Sequence, residues 1–199
     1  MADLGIRVAG DRERDAIAAL LHEVFRDDPV SRWVFPDAAH REDAHPRLFG
    51  AFLDHGLEHG TVHVTADGTG TGAAVWFAVA GGELRGGDDL GARLEKVDPG
   101  NDRLPALGEL TEAVHPVDRD HAYLQAIAVA ADRQGTGVGT ALLAPVLQQC
   151  DRDGLPAYLE ASNSDSRRLY ERHGFAVLDP VVHLPDGPPM YPMWREPST

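Results

Sequence analysis

The sequence predicts one domain of mixed α/β (α+β) class. Segments in which apolar and polar residues alternate, as in strands, are interspersed with segments whose apolar residues recur every three or four positions, as in helices. Of the 199 residues, 43% are hydrophobic and 25% are charged, a composition that excludes a wholly disordered protein. A chain of this length can bury about 70% of its unfolded surface around one core. We therefore expect a single domain over residues 1–199.

The first 80 residues predict three strands and two helices. Apolar residues of 17–25 fall on one helical face, and this helix should end just before Pro29, because proline disfavours helical backbone in the preceding residue. After an irregular segment at 33–36, a second helix is expected over 48–57, closed by Gly60. The predicted strands of this region are 6–8, 61–65 and 73–79, the last two joined by a hairpin turn at 67–70.

Residues 80–121 interrupt this pattern and are predicted to form a helical insertion on the surface of the same domain. Two stretches, 90–97 and 104–114, have helix-like spacing, but neither has enough apolar residues for a core of its own. Asn163 and Gly174 are expected to cap the two ends of a later helix. The predicted strands beyond the insertion are 123–129, 156–162, 175–184 and 190–194, and the predicted helices are 137–150 and 164–173.

Charge and composition exclude several classes of protein. The net charge is -14 at pH 7, so the positive surface that binds nucleic acid or anionic membranes is missing, whereas cations, amines included, are favoured. Cys150 is the single cysteine, which excludes an internal disulfide. The sequence shows no signal peptide, and its longest weakly polar run, 72–82, is far shorter than the ~20 residues that span a bilayer. We expect a cytoplasmic protein.

A glycine-rich loop carries the strongest functional pattern. It follows the strand 123–129 and leads into a helix that opens with Thr136-Gly137-Val138-Gly139-Thr140. Glycines let backbone N–H groups approach a ligand closely, and the helix dipole adds partial positive charge, so such a loop can bind phosphate. Arg133 can add a full charge. The alternative is a tight turn that binds nothing.

Two other phosphate-binding motifs fit this loop poorly. A P-loop ends in Gly-Lys-Ser/Thr, and no lysine lies nearby. A dinucleotide-binding loop begins where the strand ends and has an acidic residue about 20 positions later. Glu160 lies at roughly that distance, but five residues separate Val129 from Gly135, and Thr140 replaces the third glycine. The dinucleotide alternative stays open but is disfavoured.

The loop resembles the pyrophosphate loop of the GNAT N-acetyltransferase superfamily, whose motif is Q/R-x-x-G-x-G/A. Here the matching residues run from Gln134 to Gly139. A second GNAT-like signature follows at the expected distance, in which Asn163 precedes Leu169-Tyr170 and the pair Gly174-Phe175 begins the next strand. Over residues 121–197 the sequence is most similar to the puromycin N-acetyltransferase-like branch, whereas 1–120 match only in the order of elements.

This resemblance implies a GNAT-like, mostly antiparallel twisted sheet of about seven strands, flanked by four or more helices. The sheet is splayed between its fourth and fifth strands, here 123–129 and 156–162, and acetyl-CoA lies in the gap. An amide of the fourth strand would stabilise the oxyanion, a contribution worth roughly 3 kcal/mol. The predicted cofactor-binding residues are Ile127, Ala128, Val129, Arg133, Gln134, Gly135, Thr136, Gly137, Val138, Gly139, Thr140, Asn163 and Tyr170.

Two residues are predicted to be catalytic. Tyr170 matches the general acid that protonates the departing thiolate, although it could simply be an aromatic packed between helix and sheet. Many family members place a basic carboxylate on the fourth strand, but here that strand has none. Glu160 is the best substitute, either as a base or as a group that orients the amine; the alternative is an ordinary strand-edge carboxylate. Asn163 either caps its helix or reaches the CoA arm.

The acceptor is predicted to be the primary amine of a small molecule, and the puromycin-like resemblance suggests an aminoacyl or aminonucleoside antibiotic. In this family the segment between the first two helices and the turn at 184–191 wall the acceptor cleft. The predicted substrate residues are Asp28, Trp33, Trp76 and Glu160. Carboxylates beside aromatic rings suit a cationic amine. The alternative is that Asp27 and Asp28 only end a helix and the aromatic residues only anchor a loop.

His55 and His59 lie one helical turn apart, but no third ligand is apparent in the sequence, so we predict no metal. Two functions are compatible with the pattern: an acetyl-CoA-dependent N-acetyltransferase, or a GNAT-like module that senses acyl-CoA or another ligand without turnover. A protein or peptide N-acetyltransferase is a further, weaker alternative. We expect a monomer or a homodimer.

Overall fold

A computed structural model of the chain describes residues 5–66 and 71–198. These residues form nine strands and seven α-helices, with two short 3-10 turns at Asp11–Glu13 and Ala131–Arg133. The strands are β1 (Ile6–Val8), β2 (Thr61–Thr65), β3 (Gly72–Ala80), β4 (Glu83–Leu84), β5 (His121–Val129), β6 (Ala157–Ala161), β7 (Ala176–Val177), β8 (Val182–His183) and β9 (Pro189–Arg195). The helices are α1 (Arg14–Phe25), α2 (Pro29–Val34), α3 (Ala38–His59), α4 (Gly87–Leu94), α5 (Arg103–Glu112), α6 (Val138–Asp153) and α7 (Ser164–Glu171).

The strands form one mixed sheet in the order β1-β2-β3-β5-β6-β9-β7, with β4 added to β3 and β8 added to β9. Every described pair is antiparallel except β5 with β6, which is parallel. The predicted mixed α/β class with a mostly antiparallel sheet is confirmed. The sheet has nine strands rather than about seven, because the sequence pattern missed the two-residue strand β4 and merged β7 with β8.

Helices cover both faces of the sheet. Along β3, Ala74 and Trp76 point to the side where α6 packs with Leu142 and Leu143, and they share one apolar core. Val75 points to the opposite side, where α1 and α3 pack, and belongs to the second core. This alternation follows from the two-residue period of a strand. A sheet covered on both faces explains why β3 is a nearly unbroken apolar run.

Two predictions for the first 60 residues need correction. The segment 33–36, expected to be irregular, begins inside α2, because Pro29 occupies the first helical turn and Asp28 caps it by accepting the Val30 N–H at 2.9 Å. The helix expected over 48–57 is α3, which starts at Ala38, where the Asp37 side chain provides the cap. In both cases a capping aspartate begins a helix where the apolar spacing does not indicate one.

The C-terminal strand predicted over 175–184 is also corrected. It is divided into β7 and β8, which pair with different parts of β9. Pro180 lies between them and has no N–H to donate to a ladder. Gly60 ends α3 and Asn163 caps α7, as predicted. The hairpin turn predicted at 67–70 lies outside the described residues.

The segment 80–121 contains α4 and α5, close to the two helix-like stretches of the sequence. Leu90 of α4 is buried in the core shared by α1 and α3. The Arg103 side chain donates to the Trp33 carbonyl at 2.7 Å, and Asn101 donates to the Val34 carbonyl at 3.0 Å. The insertion is thus bonded to α2. Across the described ranges, no helix combines the length and the apolar character needed to cross a bilayer.

Buried histidines make the fold sensitive to acid. His45 is 0% exposed, and its Nε2 lies 2.9 Å from the Ser31 hydroxyl. Burial, with a smaller contribution from His22, lowers the pKa of His45 to about 4. The unfolded chain takes up this proton near pH 6.5, whereas the folded chain does not until about pH 4. Stability is therefore present above pH 6.5 and is lost as the pH falls towards 4.

We expect the unfolding free energy to fall by about 2 kcal/mol between pH 7 and pH 5 through His45 alone. Urea titrations at both pH values measure it. His45→Gln, which keeps a donor near Ser31, should reduce this loss, whereas His183→Gln at an exposed position should not. An identical pH dependence in wild type and His45→Gln would contradict the prediction.

Candidate active site

A cavity of about 810 Å³ opens where β5 and β6 part. Its volume is within the range of small-molecule sites. It is enclosed by the link between α1 and α2, by α3 and α5, by the loop before α6, and by α7. The polar residues along it are Asp27, Asp28, Ser31, Gln125, Arg133, Gln134, Thr140, Glu160, Ser162, Asn163, Asp165, Ser166, Tyr170 and Arg172.

The gap exists because β5 and β6 pair over three residues only, Ala122–Leu124 with Ala157–Leu159. Beyond this point β5 continues beside β3 and β6 continues beside β9. The register of β3 and β5 shifts between Val75 and Trp76, so that Gln125 is an extra, bulged residue. Such bulges bend a strand and redirect its side chains. Gln125, Ile127 and Val129 line the cavity at this bend.

The glycine-rich loop lies at one end of the cavity. Gly135 has φ 73° and Gly137 has φ 92°, a conformation that other residues rarely adopt. A Cβ at either position would meet no atom within 4 Å, so both face open space. The Gln134 side chain donates to the Val129 carbonyl at 3.1 Å, and the Thr136 hydroxyl donates to the Arg133 carbonyl at 2.6 Å. These bonds fold the two side chains back onto the loop, whereas the glycine positions face open space.

Most of the predicted cofactor residues line the cavity. They are Ile127, Val129, Arg133, Gln134, Gly135, Gly137, Gly139, Thr140, Asn163 and Tyr170. Three predicted residues do not. Ala128 points to the opposite face of β5 and is buried there, Val138 is buried in the core beneath α6, and Thr136 bonds to its own loop. Alternation along β5 turns Ala128 away from Ile127 and Val129. The first turn of α6 directs Val138 into the core.

Asp28 connects the helical side of the cavity with β6. Its carboxylate accepts the Ser162 hydroxyl at 2.6 Å and the Asn163 amide at 3.2 Å, while also capping α2 through Val30. Asn163 in turn accepts two N–H groups of α7, so it is the N-cap, and it also lines the cavity. The residue predicted to bind substrate therefore holds three elements in place.

Tyr170 lies in the cavity beside Asp28. It is 6% exposed, and its ring packs against Phe175 with centroids 6.0 Å apart. Burial raises the pKa of its hydroxyl well above the usual range, and the Asp28 carboxylate raises it further. The phenol is therefore protonated throughout the neutral range, and it can donate a proton.

Glu160 lies deeper, surrounded by aromatic rings. Its side chain is 5% exposed, and Oε1 is buried without a hydrogen-bond partner among the described residues. Burial and the nearby Glu160 carboxylate raise the pKa values of Tyr123 and Tyr158. A carboxylate that is almost fully buried is costly to keep, which is typical of groups kept for chemistry rather than for stability.

A pair of histidines connects Glu160 to the backbone. His115 Nδ1 lies 3.9 Å from Glu160 Oε1, and His115 Nε2 lies 2.9 Å from His121 Nε2. His121 Nδ1 lies 2.9 Å from the Arg119 carbonyl, which can only accept, so this nitrogen carries a proton. Because burial lowers the pKa of His121, its ring is neutral and its Nε2 accepts from His115. No sequence pattern pointed to His115, which lies in the segment 80–121.

The two predicted tryptophans do not line the cavity. Trp76 is 2% exposed, in the core between the sheet and α6. Trp33 is also buried; its indole donates to the Pro185 carbonyl at 2.8 Å, and Arg103 lies over its ring at 5.4 Å. Trp33 thus joins α2 to the turn at 184–191, from which Met190 reaches the cavity.

Comparison with known proteins identifies this arrangement. The family model described as "Acetyltransferase (GNAT) family" matches residues 21–175. The chain belongs to the GNAT acetyltransferase family. The match includes the gap between β5 and β6, the glycine-rich loop and Tyr170. The chain is therefore a member of a family of acyltransferase enzymes that generally use acetyl-CoA.

Two curated proteins resemble parts of this GNAT chain. An uncharacterized N-acetyltransferase of Schizosaccharomyces pombe is 35% identical over 102 residues, which are 50% of this chain and 41% of that protein. A mycothiol acetyltransferase of Brachybacterium faecium is 43% identical over 70 residues, which are 34% of this chain and 21% of that protein. The chain matches less than half the length of each.

Solved GNAT structures share the fold over almost the whole chain. A Corynebacterium glutamicum structure described as a histone acetyltransferase and related acetyltransferase has a TM-score of 0.73 at 24% identity, over 98% of this chain and 96% of that chain. An agmatine N-acetyltransferase has a TM-score of 0.67 at 16% identity, over 96% and 98%. Arylalkylamine N-acetyltransferase 2 of Aedes aegypti has a TM-score of 0.66 at 13% identity, over 98% and 100%. At these identities the likeness concerns the fold.

Proposed function

We propose that this chain is an acetyl-CoA-dependent N-acetyltransferase that acts on the primary amine of a small molecule by direct attack. The observation that carries the proposal is the position of Tyr170, a buried and protonated phenol, in the same cavity as two carboxylates, Asp28 and Glu160. A proton donor and groups that attract or deprotonate an amine are the parts that acyl transfer to nitrogen requires.

The glycine-rich loop suits the pyrophosphate of acetyl-CoA. Its glycines face open space at the beginning of α6, where the helix dipole favours negative charge. Arg133 and Arg172 add positive charge along the cavity. The backbone of β5 beyond Leu124 lacks a β6 partner among the described residues and is free to bond the pantetheine arm. One amide of this stretch would hold the oxyanion.

Residues of the cavity can account for every proton that moves during acyl transfer. The amine nitrogen bonds to the thioester carbon, and the carbon–sulfur bond breaks as the tetrahedral intermediate collapses. Glu160 takes the proton that the amine loses, and Tyr170 gives a proton to the departing sulfur. His115 Nδ1, which lies 3.9 Å from Glu160 Oε1, is the nearest group that can pass the proton on from Glu160. An amide and a free thiol are the products.

The acceptor end of the cavity is both apolar and acidic. Its apolar residues are Phe25, Val34, Phe35, Leu48, Phe49, Phe52, Leu104 and Leu107. With Asp28 beside them, these residues suit an amine that carries an apolar group. Deprotonating an amine of pKa about 10.4 at pH 7 costs roughly 4.6 kcal/mol, whereas one near 8 costs about 1.4 kcal/mol. An α-amine is therefore favoured, and an aminoacyl or aminonucleoside antibiotic, acetylated for resistance or tailoring, is our specific candidate.

A thiol-release assay with a panel of amines and acetyl-CoA tests the proposal against a module that only senses acyl-CoA. Turnover with one or more amines supports an enzyme. Tight CoA binding without any thiol release would favour the sensing module.

Tyr170→Phe should lower kcat by about 100-fold, because only the proton for the leaving group is removed. The dissociation constant for CoA, measured by calorimetry, should change less than twofold and serves as the internal control. The wild-type enzyme should not lose activity between pH 8 and pH 10 through Tyr170, since the pKa of this hydroxyl is raised. A variant that turns over at the wild-type rate would contradict the assignment.

Glu160→Gln should lower kcat/KM at pH 7 by about 100-fold, and the deficit should shrink as the pH rises, because more amine is then already deprotonated. His115→Gln should cause a smaller loss of the same kind, since Glu160 remains. Glu171→Gln, which removes a carboxylate from the surface of α7, is the matched control. A loss in Glu160→Gln that does not depend on pH would exclude a role as base.

Asp28→Asn should raise KM for the amine about tenfold, equivalent to about 1.4 kcal/mol, and should leave KM for acetyl-CoA unchanged. Asparagine can still cap α2 through its oxygen, but it replaces the oxygen that accepts from Ser162 and Asn163 with an amide donor, so the fold of the variant is verified by circular dichroism. Asp37→Asn, which alters the cap of α3 outside the cavity, is the control. An equal change in KM for the amine and for acetyl-CoA would show that Asp28 has a structural role only.

A further inference from the structure

The fold brings a carboxylate to the histidine pair that the sequence offered without a third ligand. His55 and His59 share one face of α3, and Asp89 lies in the first turn of α4. One ligand atom from each of the three lies within 4.8 Å of the others. A tetrahedral zinc site with bonds of about 2.0–2.1 Å brings its ligand atoms to about 3.3 Å from one another, so small side-chain rotations complete the approach.

His55 is buried without a hydrogen-bond partner. It is 1% exposed, and neither ring nitrogen finds a donor or an acceptor among the described residues. Its ring packs edge-on against Phe77, with centroids 4.6 Å apart, and lies 5.1 Å from the ring of His59. An unsatisfied buried nitrogen costs about 1–3 kcal/mol, and a metal ion would satisfy it.

His59 and Asp89 lie at the surface end of the cluster, which we name the His55–His59–Asp89 site. A Cβ at Gly86 would come within 2.6 Å of the His59 ring, so this glycine, with φ 71°, lets the loop before α4 approach the imidazole. The ring is thereby held beneath the start of α4. Rigid placement of ligands before the metal arrives favours binding.

Arg93 competes for the carboxylates of this region. Its guanidinium lies 2.7 Å from Asp89 Oδ2 and 2.6 Å from Glu58 Oε2, and Glu58 Oε2 is 3.8 Å from His59 Nε2. The side chains of Glu58 and Asp89 are about half exposed, so these ion pairs exchange readily with solvent. Release of Arg93 frees Asp89 as third ligand and leaves Glu58 or a water for the fourth position.

We propose that the His55–His59–Asp89 site binds a divalent transition-metal cation, of which Zn²⁺ fits best. Two imidazoles and a carboxylate are borderline ligands that zinc accepts in tetrahedral geometry. The net charge of -14 favours a cation at the surface. A bound ion would join α3 to α4, and hence to the insertion. None of the three residues lines the catalytic cavity, so the proposal is independent of the acyl-transfer chemistry.

Calorimetry with Zn²⁺ and absorption spectroscopy with Co²⁺, on the full chain, test the proposal. We expect one equivalent to bind, with the visible absorption of tetrahedral Co²⁺. His59→Ala and Asp89→Asn should each weaken Zn²⁺ binding at least tenfold. Asp88→Asn, in the same helical turn but outside the cluster, should bind like wild type. Circular dichroism verifies that each variant is folded.

Arg93→Met provides the decisive variant, because it removes the competing guanidinium and leaves His55, His59 and Asp89 unchanged. Its affinity for Zn²⁺ should rise several-fold over wild type. Loss of Zn²⁺ binding that is the same in Asp89→Asn and Asp88→Asn, or binding that does not change in His59→Ala, would overturn the proposal. Absence of binding at about 0.1 mM Zn²⁺ in both wild type and Arg93→Met would overturn it as well.

Discussion

The early end of pairing between β5 and β6 is the constraint on which the rest of the site depends. Both strands keep an outer neighbour after they part: Ile127 still pairs with Ala74 of β3, and Glu160 still pairs with Pro192 of β9. Opening the gap therefore sacrifices hydrogen bonds on one side of each strand only, and the freed backbone groups face a cavity where a ligand can bond them. The bulge at Gln125 occurs at the same point, one residue beyond the last pair. The separation of the strands, the redirected side chains and the free amides are thus consequences of a single local change in the sheet.

The distribution of charge is the second constraint on the site. In the proposed function, a strongly acidic chain would hold an anionic cosubstrate through local features, namely the glycines of the loop, the start of α6 and Arg133. Its carboxylates would then serve the acceptor. Asp28 shows that a carboxylate proposed to bind the acceptor can also stabilise the fold. It caps α2, it accepts the Ser162 hydroxyl, and it raises the pKa of Tyr170. If the proposed amine binds Asp28, it would compete with Ser162 and change the electrostatic field at Tyr170, so the proposed acceptor binding and proton donation would be coupled through one side chain.

The sequence predicted those parts of the site whose determinants are local. The left-handed glycines 135 and 137, the cap at Asn163 and the position of Tyr170 each follow from residues within a few positions of one another. Features that join distant segments were not predictable. His115 meets Glu160 across 45 positions, and Asp89 approaches the pair on α3 only after the insertion folds back. Trp76 illustrates a third limit, because alternation along a strand shows that its two faces differ but not which one the cavity occupies.

The two missed contacts, those of Asp89 and His115, share a physical cause, because both residues lie in the segment 80–121. Its helices are short and only partly apolar, so their pattern is weak in sequence, yet they are fixed by packing and by bonds to α2. Leu104 and Leu107 close the acceptor end of the cavity, and His115 reaches the proposed base. The loop before α6, by contrast, is built on rigid sheet and helix. Under the proposed function, the loop before α6 would hold the cosubstrate while the segment 80–121 would shape the acceptor end, so the acceptor could differ without disturbing the cosubstrate site. Selectivity for the amine should therefore reside mainly in the insertion and in the residues around Asp28.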